Sequence, residues 1–547
     1  MISRRNFIAA AAAVVAAPVV LGSLAGGTAT AADPTLSISL QNNTGSNTVY
    51  AYVTGTALNN NNALFLLQAD GQTPYYPASP AGDGTPLGVN CAIPLGASGS
   101  APTRVTIPYL AGARIWFSIG EPLQFFVNPG PGLVEPSVTN GSDPNIGILW
   151  DFCELTFNGG VYANISFVDF ASIPIALQLT GSAGTQTVEG LPAGGLDQIC
   201  TQLTAQNAAD GEGWNQLIVT SGGTNLRALS PTNGIVYNPS LFSGYFDGYL
   251  SQVWQKYTTS TLSVDTQASY GTITGQVANG LLTFPGVGSF AQPSSADIFS
   301  CASGPFAVSS QEMLALVPRI SAALNRTTLL SDADQPDGEN PANYYTNAQT
   351  NHYARIVHSV SLDHRGYAFP YDDVGPANGA DQSGFVSDGA PTLLAITVGV
   401  VHGSGSGSGG NVGTPVTVTA SDYSGSNSIG TEATGDTGGG DDVGWINSAS
   451  WLEYSGVDFT GHSGTVQARY ASDVAGSGIG SIQFRLDSLT ATPFATIPVN
   501  GTGGWQSWTS SSAVAAAPVP SGTHTLYVTF ATSTGGNFVN VNWFEFS

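Results

Sequence analysis

Over residues 35–179 apolar and polar positions alternate in short runs separated by Gly, Pro and Asn clusters. Runs at 36–41, 48–53, 104–109 and 114–119 have the period of two expected of strands, so this region predicts a β-sandwich or barrel. The period then changes. Leu196, Ile199, Cys200 and Leu203 recur at helical spacing, as do Phe242, Phe246, Tyr249, Leu250, Val253, Trp254 and Tyr257. Further helices are expected at 311–329, where Pro318 marks a kink or a first turn, and at 344–360. A strand pair at 261–265 and 271–277 interrupts them, and 391–400 is again apolar and β-like. The simplest topology is a mainly β domain that holds a mixed α/β insertion and is closed by a returning strand. A long substrate would lie in the cleft between the two parts. Residues 403–410 read GSGSGSGG, a flexible linker by composition. Beyond it, 415–547 is rich in β-branched residues, Gly and aromatics without helical period, and predicts a second β-sandwich.

Residues 150–169, WDFCELTFNGGVYANISFVD, hold two alternating runs around Asn158-Gly159-Gly160, a hairpin signal. On the first run Trp150, Phe152, Glu154, Thr156 and Asn158 share one face, and Asp151, Cys153, Leu155 and Phe157 the other. With a two-residue turn at Gly159-Gly160, Asn158 pairs with Val161 and Glu154 with Ile165. Asp169 then falls on the Glu154 face, four residues along the ladder, roughly 13 Å away. Leaning side chains would close that toward the ~6.5–9.5 Å of an inverting glycosidase pair. A one-residue change in turn length would flip the parity.

Composition narrows the function. Charged residues make up only 9%, and 36 acids face 12 Lys and Arg, for a net charge of −24. Such a polyanion repels phosphate backbones and anionic lipid, whereas a neutral polymer meets no penalty. Nucleic acid is thereby excluded as a partner. Residues 1–31 predict an export signal: Ser3-Arg4-Arg5-Asn6-Phe7-Ile8 fits the twin-arginine pattern, an apolar run follows, and Ala29-Thr30-Ala31 fits a cleavage site. No later segment is long and apolar enough to span a bilayer. Four cysteines, Cys91, Cys153, Cys200 and Cys301, fit no zinc motif. In an exported chain their even number implies disulfides in one of three connectivities, with Cys200–Cys301 the guess, both being in the helical middle. His352, His358 and His364 are six apart and do not stack on a helix face. No metal or cofactor is implied.

The passage CELTFN…NISFVDF…IP resembles thaumatin-like proteins, and more closely the bacterial β-1,3-glucanases of glycoside hydrolase family 64. Further matching segments are ARIWFSIGEPL (113–123), GLVEPS (132–137), DPN (143–145), VWQKY (253–257), AALNRTTL (322–329), NHYARIVH (351–358) and YAFPYDDVG (367–375). The resemblance implies a thaumatin-like β-sandwich or barrel over 35–400. It makes Glu154 the general acid and Asp169 the base of an inverting, endo-acting secreted hydrolase of laminarin- or curdlan-type glucan. Thr156 and Asn158 would bind sugar hydroxyls. Asp372 and Asp373 are either further cleft acids or a solvated turn. After the linker (401–414), residues 415–547 resemble family 6 carbohydrate-binding modules of jelly-roll fold, through ASDYSG, IGTEATGDTGGGDDVGWI, WLEYSGVDF, TGGWQSW, GTHTLYVTF and NVNWFEF. The residues that would hold sugar there are Trp445, Trp505 and Asn540, with Trp451, Trp508 and Trp543 as core. The family's structural calcium is not expected, since Ser421 and Asn542 stand where acids would be. The protein is expected to be a monomer. Two alternatives stay open: a glucanase of other linkages, and a thaumatin-like glucan-binding protein that does not cut.

Overall fold

The computed structural model describes residues 35–402 apart from 378 and 380, and 416–546 apart from 437–439, 460–464, 515–521 and 533. The expected signal and residues 403–414 of the expected linker lie outside the described residues. The chain forms two units divided after His402, each with its own hydrophobic core.

In the first unit, strands β1 (Leu36–Asn42), β2 (Val49–Ala57), β3 (Ala63–Leu67), β4 (Thr103–Ile107), β5 (Leu110–Ile119), β6 (Leu149–Phe157), β7 (Val161–Ile165), β8 (Ile175–Gly181) and β9 (Gly184–Val188) lead into the insertion. Its main helices are α1 (Gly195–Asp210), α2 (Asp247–Lys256), α3 (Gln311–Arg326) and α4 (His352–Val360), and the chain returns through β10 (Phe385–Asp388) and β11 (Pro391–Val398). One sheet runs β9-β8-β11-β1-β4; the other runs β10-β7-β6-β5-β2-β3 and ends on the short strand Pro74–Tyr75.

β11 is the returning strand. It enters between β1, to which it is parallel, and β8, to which it is antiparallel. A parallel neighbour cannot be reached by a tight turn, and the chain comes back to β1 only after the strands of both sheets, the helical insertion and β10. Register sets Ile38 against Leu394, Leu40 against Ile396, and Leu177 and Leu179 beside them. All six are at most 1% exposed, each burial worth roughly 1.5–3 kcal/mol.

α1 buries Leu196, Ile199, Cys200 and Leu203, the spacing read from the sequence. α2 starts at Asp247, later than the pattern implies, because Phe242 (φ 58°) and Gly244 (φ 74°) turn the chain. Phe242 and Phe246 stay buried nonetheless, packing on Phe299 at 5.3 and 5.4 Å. Pro318 lies inside α3, which excludes the first-turn alternative. α4 starts at His352, since the Asn351 side chain caps it by accepting from the Ala354 amide at 3.0 Å. The strand pair is present as Leu262–Asp265 with Thr272–Ala278.

The disulfide expectation is corrected. All four cysteines are buried and no disulfide joins any two of them. Cys200 sits on the packed face of α1, while Cys301 Sγ lies 3.4 Å from the Pro370 carbonyl and receives Asn325 Nδ2 at 3.4 Å. Burial pushes the Cys91 and Cys200 thiols up to about 12.

The second unit is a β-sandwich. Strands β12 (Gly430–Ala433), β13 (Asp441–Ile446), β14 (Trp451–Asp458), β15 (Thr465–Ser472), β16 (Gly504–Val514) and β17 (Val539–Phe546) are the ones that matter below. One sheet is ordered β12-β13-β17-β15-β16, and β14 belongs to the other. Ile482, Phe484, Val528, Phe544 and Phe546 fill the space between them. Trp451, Trp508 and Trp543 are half-buried and outside this core, a second correction. The cause is strand alternation: Trp451 and Trp543 each precede the inward residue, Leu452 and Phe544, both 0% exposed.

Candidate active site

β6 carries LWDFCELTF. Trp150 and Phe152 are buried at its start, while Glu154 and Thr156 on the same face are half-exposed, so the face opens along the strand. Asp151, on the reverse face, is buried and receives the Ser172 and Ile173 amides at 3.0 and 2.9 Å. Burial pushes that carboxyl up to about 8.

The hairpin differs from the two-residue turn. Phe157 pairs with Val161, leaving a three-residue loop, and Glu154 pairs with Asn164 rather than Ile165. Gly159, at φ 116°, makes the loop possible. β7 then ends at Ile165, so Asp169 is not on its ladder and the four-residue offset does not apply. Instead a turn presents Asp169, its carbonyl accepting from the Ser230 amide at 3.0 Å and Asn233 Nδ2 at 2.8 Å. On the other side of β6 the register slips at Thr156, a bulge against β5, the irregularity that re-aims side chains beside functional sites.

Across β5 from Glu154 stands Arg114. Its Nη2 donates to Glu154 Oε1 at 3.4 Å and its Nη1 to Glu135 Oε2 at 3.0 Å. The guanidinium lies 4.3 Å from the centre of the Phe152 ring and 5.4 Å from that of Trp116. Burial works against its charge, but Glu135, Glu154 and Asp169, in that order, outweigh it and hold Arg114 above its ordinary range. One cation is thus paired with Glu135 and Glu154, and the charge of Asp169 also acts on it. Asn164 Nδ2 donates to the other Glu154 oxygen at 3.4 Å. Tyr367 is close enough to feel the Glu154 charge, and its hydroxyl donates to Asp373 Oδ1 at 3.0 Å.

Thr156 shares the face of Glu154 and stands opposite Tyr162. Asn158 is exposed in the hairpin loop, beyond the strand that was expected to carry it. Asp373 is exposed, but Asp372 is turned inward and is 1% exposed. This corrects its assignment to the cleft. Arg326 Nη2 donates to its Oδ1 at 3.0 Å, and His358 Nε2 and the Ala368 amide meet its Oδ2 at 2.9 and 3.0 Å. Six residues in the site escaped the sequence reading: Arg114, Glu135, Asn164, Tyr367, and the exposed aromatic pair Tyr162 and Phe385, stacked at 6.2 Å. Arg114 did leave a signal, as one of only 12 Lys and Arg and the single charged residue of its strand.

In the second unit Trp445 is 51% exposed, and Trp505 is half-buried. Asn540 Nδ2 donates to Glu432 Oε1 at 2.9 Å and to the Trp505 carbonyl at 3.2 Å. Gln506 Nε2 reaches Asp442 Oδ2 at 2.8 Å. Burial pushes the Asp442 carboxyl up to about 6. Asn540 and Trp505 are therefore tied together. Gly444, next to Trp445, completes the group: a Cβ there would come within 2.9 Å of Asn540 Oδ1.

The family model of the β-1,3-glucanases of glycoside hydrolase family 64 matches residues 34–398, and that of family 6 carbohydrate-binding modules matches 419–547. A glucan endo-1,3-beta-glucosidase of Cellulosimicrobium cellulans is 32% identical over 432 residues, covering 76% of this chain and 74% of that protein. One from Arthrobacter sp. (strain YCWD3) is 32% identical over 409 residues, covering 72% and 70%. The solved structure of a laminaripentaose-producing β-1,3-glucanase in complex with laminaritetraose is similar at 33% identity and a TM-score of 0.60, covering 67% of this chain and 99% of that one. This chain accordingly belongs to the family 64 glycoside hydrolases, as an endo-β-1,3-glucanase with a C-terminal family 6 carbohydrate-binding module.

Proposed function

We propose that the protein is exported and cuts laminarin- or curdlan-type β-1,3-glucan within the chain, with inversion, releasing short oligosaccharides. Glu154 protonates the departing glycosidic oxygen. Asp169 takes a proton from the water that attacks the anomeric carbon. The observation that carries this reading is that Glu154, on β6, and Asp169, in the turn after β7, come from different elements yet both bear on Arg114. Thr156, Tyr162 and Phe385 share the same face and bind sugar, the aromatic pair by stacking. Asn158 borders that face at the hairpin loop, and Asp373 borders it behind Tyr367.

Trp445, Trp505 and Asn540 hold glucan on the module. Residues 1–31 direct export by the twin-arginine route, and 401–414 tether the module (415–547) to the catalytic domain (35–400). Among the described residues no helix is long and apolar enough to cross a membrane. The working form is a monomer. Proton NMR of fresh product tests the stereochemistry: the α-anomer is expected first. An initial β-anomer would mean retention and would overturn the acid/base pair.

A further inference from the structure

Arg114 stands beside Glu154 with Glu135 against it, and neither has a part in the acid/base pair. Both fall in segments that the sequence analysis singled out, residues 113–123 and 132–137, and that the chemistry so far leaves unused. Resting on the reading of Glu154 as the acid, we propose that Arg114 is a positioning residue that stabilises the carboxylate Glu154 becomes on giving up its proton, and that Glu135 anchors it for that task.

The step balances as follows. The Glu154 proton passes to the glycosidic oxygen as the bond from that oxygen to the anomeric carbon breaks. The oxygen of water bonds to the same carbon, and its proton passes to Asp169. Negative charge thereby leaves Asp169 and appears on Glu154, and solvent restores both. Arg114 bears on both acids, but its hydrogen bond goes to Glu154. It therefore favours the charge distribution after transfer over the one before, the only kind of interaction that speeds a chemical step.

The geometry fits. The guanidinium rests on Phe152, so it cannot swing away through that wall, and both ends of the Arg114–Glu154 contact are about one-fifth exposed, 20% and 19%. A charge contact counts for more in such surroundings than in open water. Glu135, at 3.0 Å, neutralises the guanidinium while Glu154 still holds its proton. The contact to Glu154 is the longer, at 3.4 Å, which leaves slack for it to tighten as charge develops. Tyr367, which also senses the Glu154 charge, has its hydroxyl committed to Asp373.

The test compares two substrates in the full chain: β-1,3-glucan, whose leaving oxygen needs a proton, and a 2,4-dinitrophenyl β-laminarioside, whose leaving group does not. Arg114→Met is expected to lose about tenfold or more in kcat on glucan, the size of a lost charge-assisted hydrogen bond, and several-fold less on the aryl glycoside. Arg114→Lys recovers part of the glucan rate, and Glu135→Gln shows the same split in smaller measure. Equal loss on both substrates would overturn the proposal, because a residue that merely shapes the sheet does not sense the leaving group. Glu154→Gln is measured alongside. If it loses both substrates equally, the acid assignment itself fails. If it splits them while Arg114→Met does not, only the role of Arg114 fails. Should Arg114→Met not fold, the lysine variant and Glu135→Gln carry the same comparison.

Discussion

Trp445 and Trp508 lie on strands of one sheet and differ in kind. Trp445 is half exposed, at a backbone φ of 56°, and its ring covers Gly430, where a Cβ would come within 2.6 Å of it. Exposed aromatics at a sugar site act as anchors worth ~2 kcal/mol or more. Trp445→Ala should therefore weaken binding to insoluble β-1,3-glucan about tenfold or more with the melting temperature unchanged, and Gly430→Val should do the same by displacing the indole. Isothermal titration with soluble oligosaccharide checks this; unchanged affinity in both variants would remove Trp445 from the site. Trp508→Ala, outside the core, should cost well under the ~3–5 kcal/mol of a fully buried tryptophan. In the catalytic unit, Glu154→Gln and Asp169→Asn should each lower turnover of glucan by about 10²–10⁴-fold while circular dichroism stays as in the parent. A variant that keeps a tenth of the parent rate would not have lost its acid or base.

At the scale of elements, α3 and α4 are joined by buried charge. Arg326, in the last turn of α3, and His358, in the last turn of α4, converge on Asp372. Glu339 stands 3.7 Å from the same guanidinium. Burial lowers the proton affinity of His358, but Asp372 raises it by more, so the imidazole sits above its ordinary 6.5. Its contribution to stability is full below pH 6.5 and fades as pH rises through the folded value. Burial opposes the charge on Asp372, but His358 and Arg326 hold it below its ordinary 3.8, so its contribution is full above pH 3.8 and fails as pH falls through the folded value. Together they stabilise most between 3.8 and 6.5. A melting-temperature profile should decline above that window. His358→Gln should lower the melting temperature at pH 5 and flatten the decline, and a decline of unaltered steepness would count against the pair.

The whole molecule is two bodies with separate cores. A chain ending at His402 should therefore fold and keep its rate on soluble laminarin. On insoluble curdlan it should lose most of its activity, since a tethered binding module raises the effective concentration of enzyme at a polymer surface without touching the chemistry. Sedimentation with curdlan and paired rate measurements check this. Equal loss on both substrates would mean that the module supports the catalytic fold.

Local pattern alone determined the mainly β architecture, the helical insertion and the returning strand, while the proposal of Glu154 on β6 as the acid came from the resemblance of its segment to family 64. Periods of two and 3.6 are written into neighbouring residues, and the burial of alternate positions follows from them. Turn length is different. Asn158-Gly159-Gly160 suits a two- or a three-residue loop equally, and one residue changed the partner of Glu154 from Ile165 to Asn164. The place of Asp169 was settled by Ser230 and Asn233, more than 60 positions away. That of Arg114 was settled by Glu135 and Phe152 on other segments. The same holds for the cysteines, whose even number implied bridges that the packing of α1 and Asn325 does not form. Asp372 and Asp373 are adjacent and alike in sequence, yet Arg326 and His358 take one inside and leave the other at the surface. Which acid is solvated, paired or catalytic depends on charges and walls brought from distant parts of the chain, and only folding assembles them.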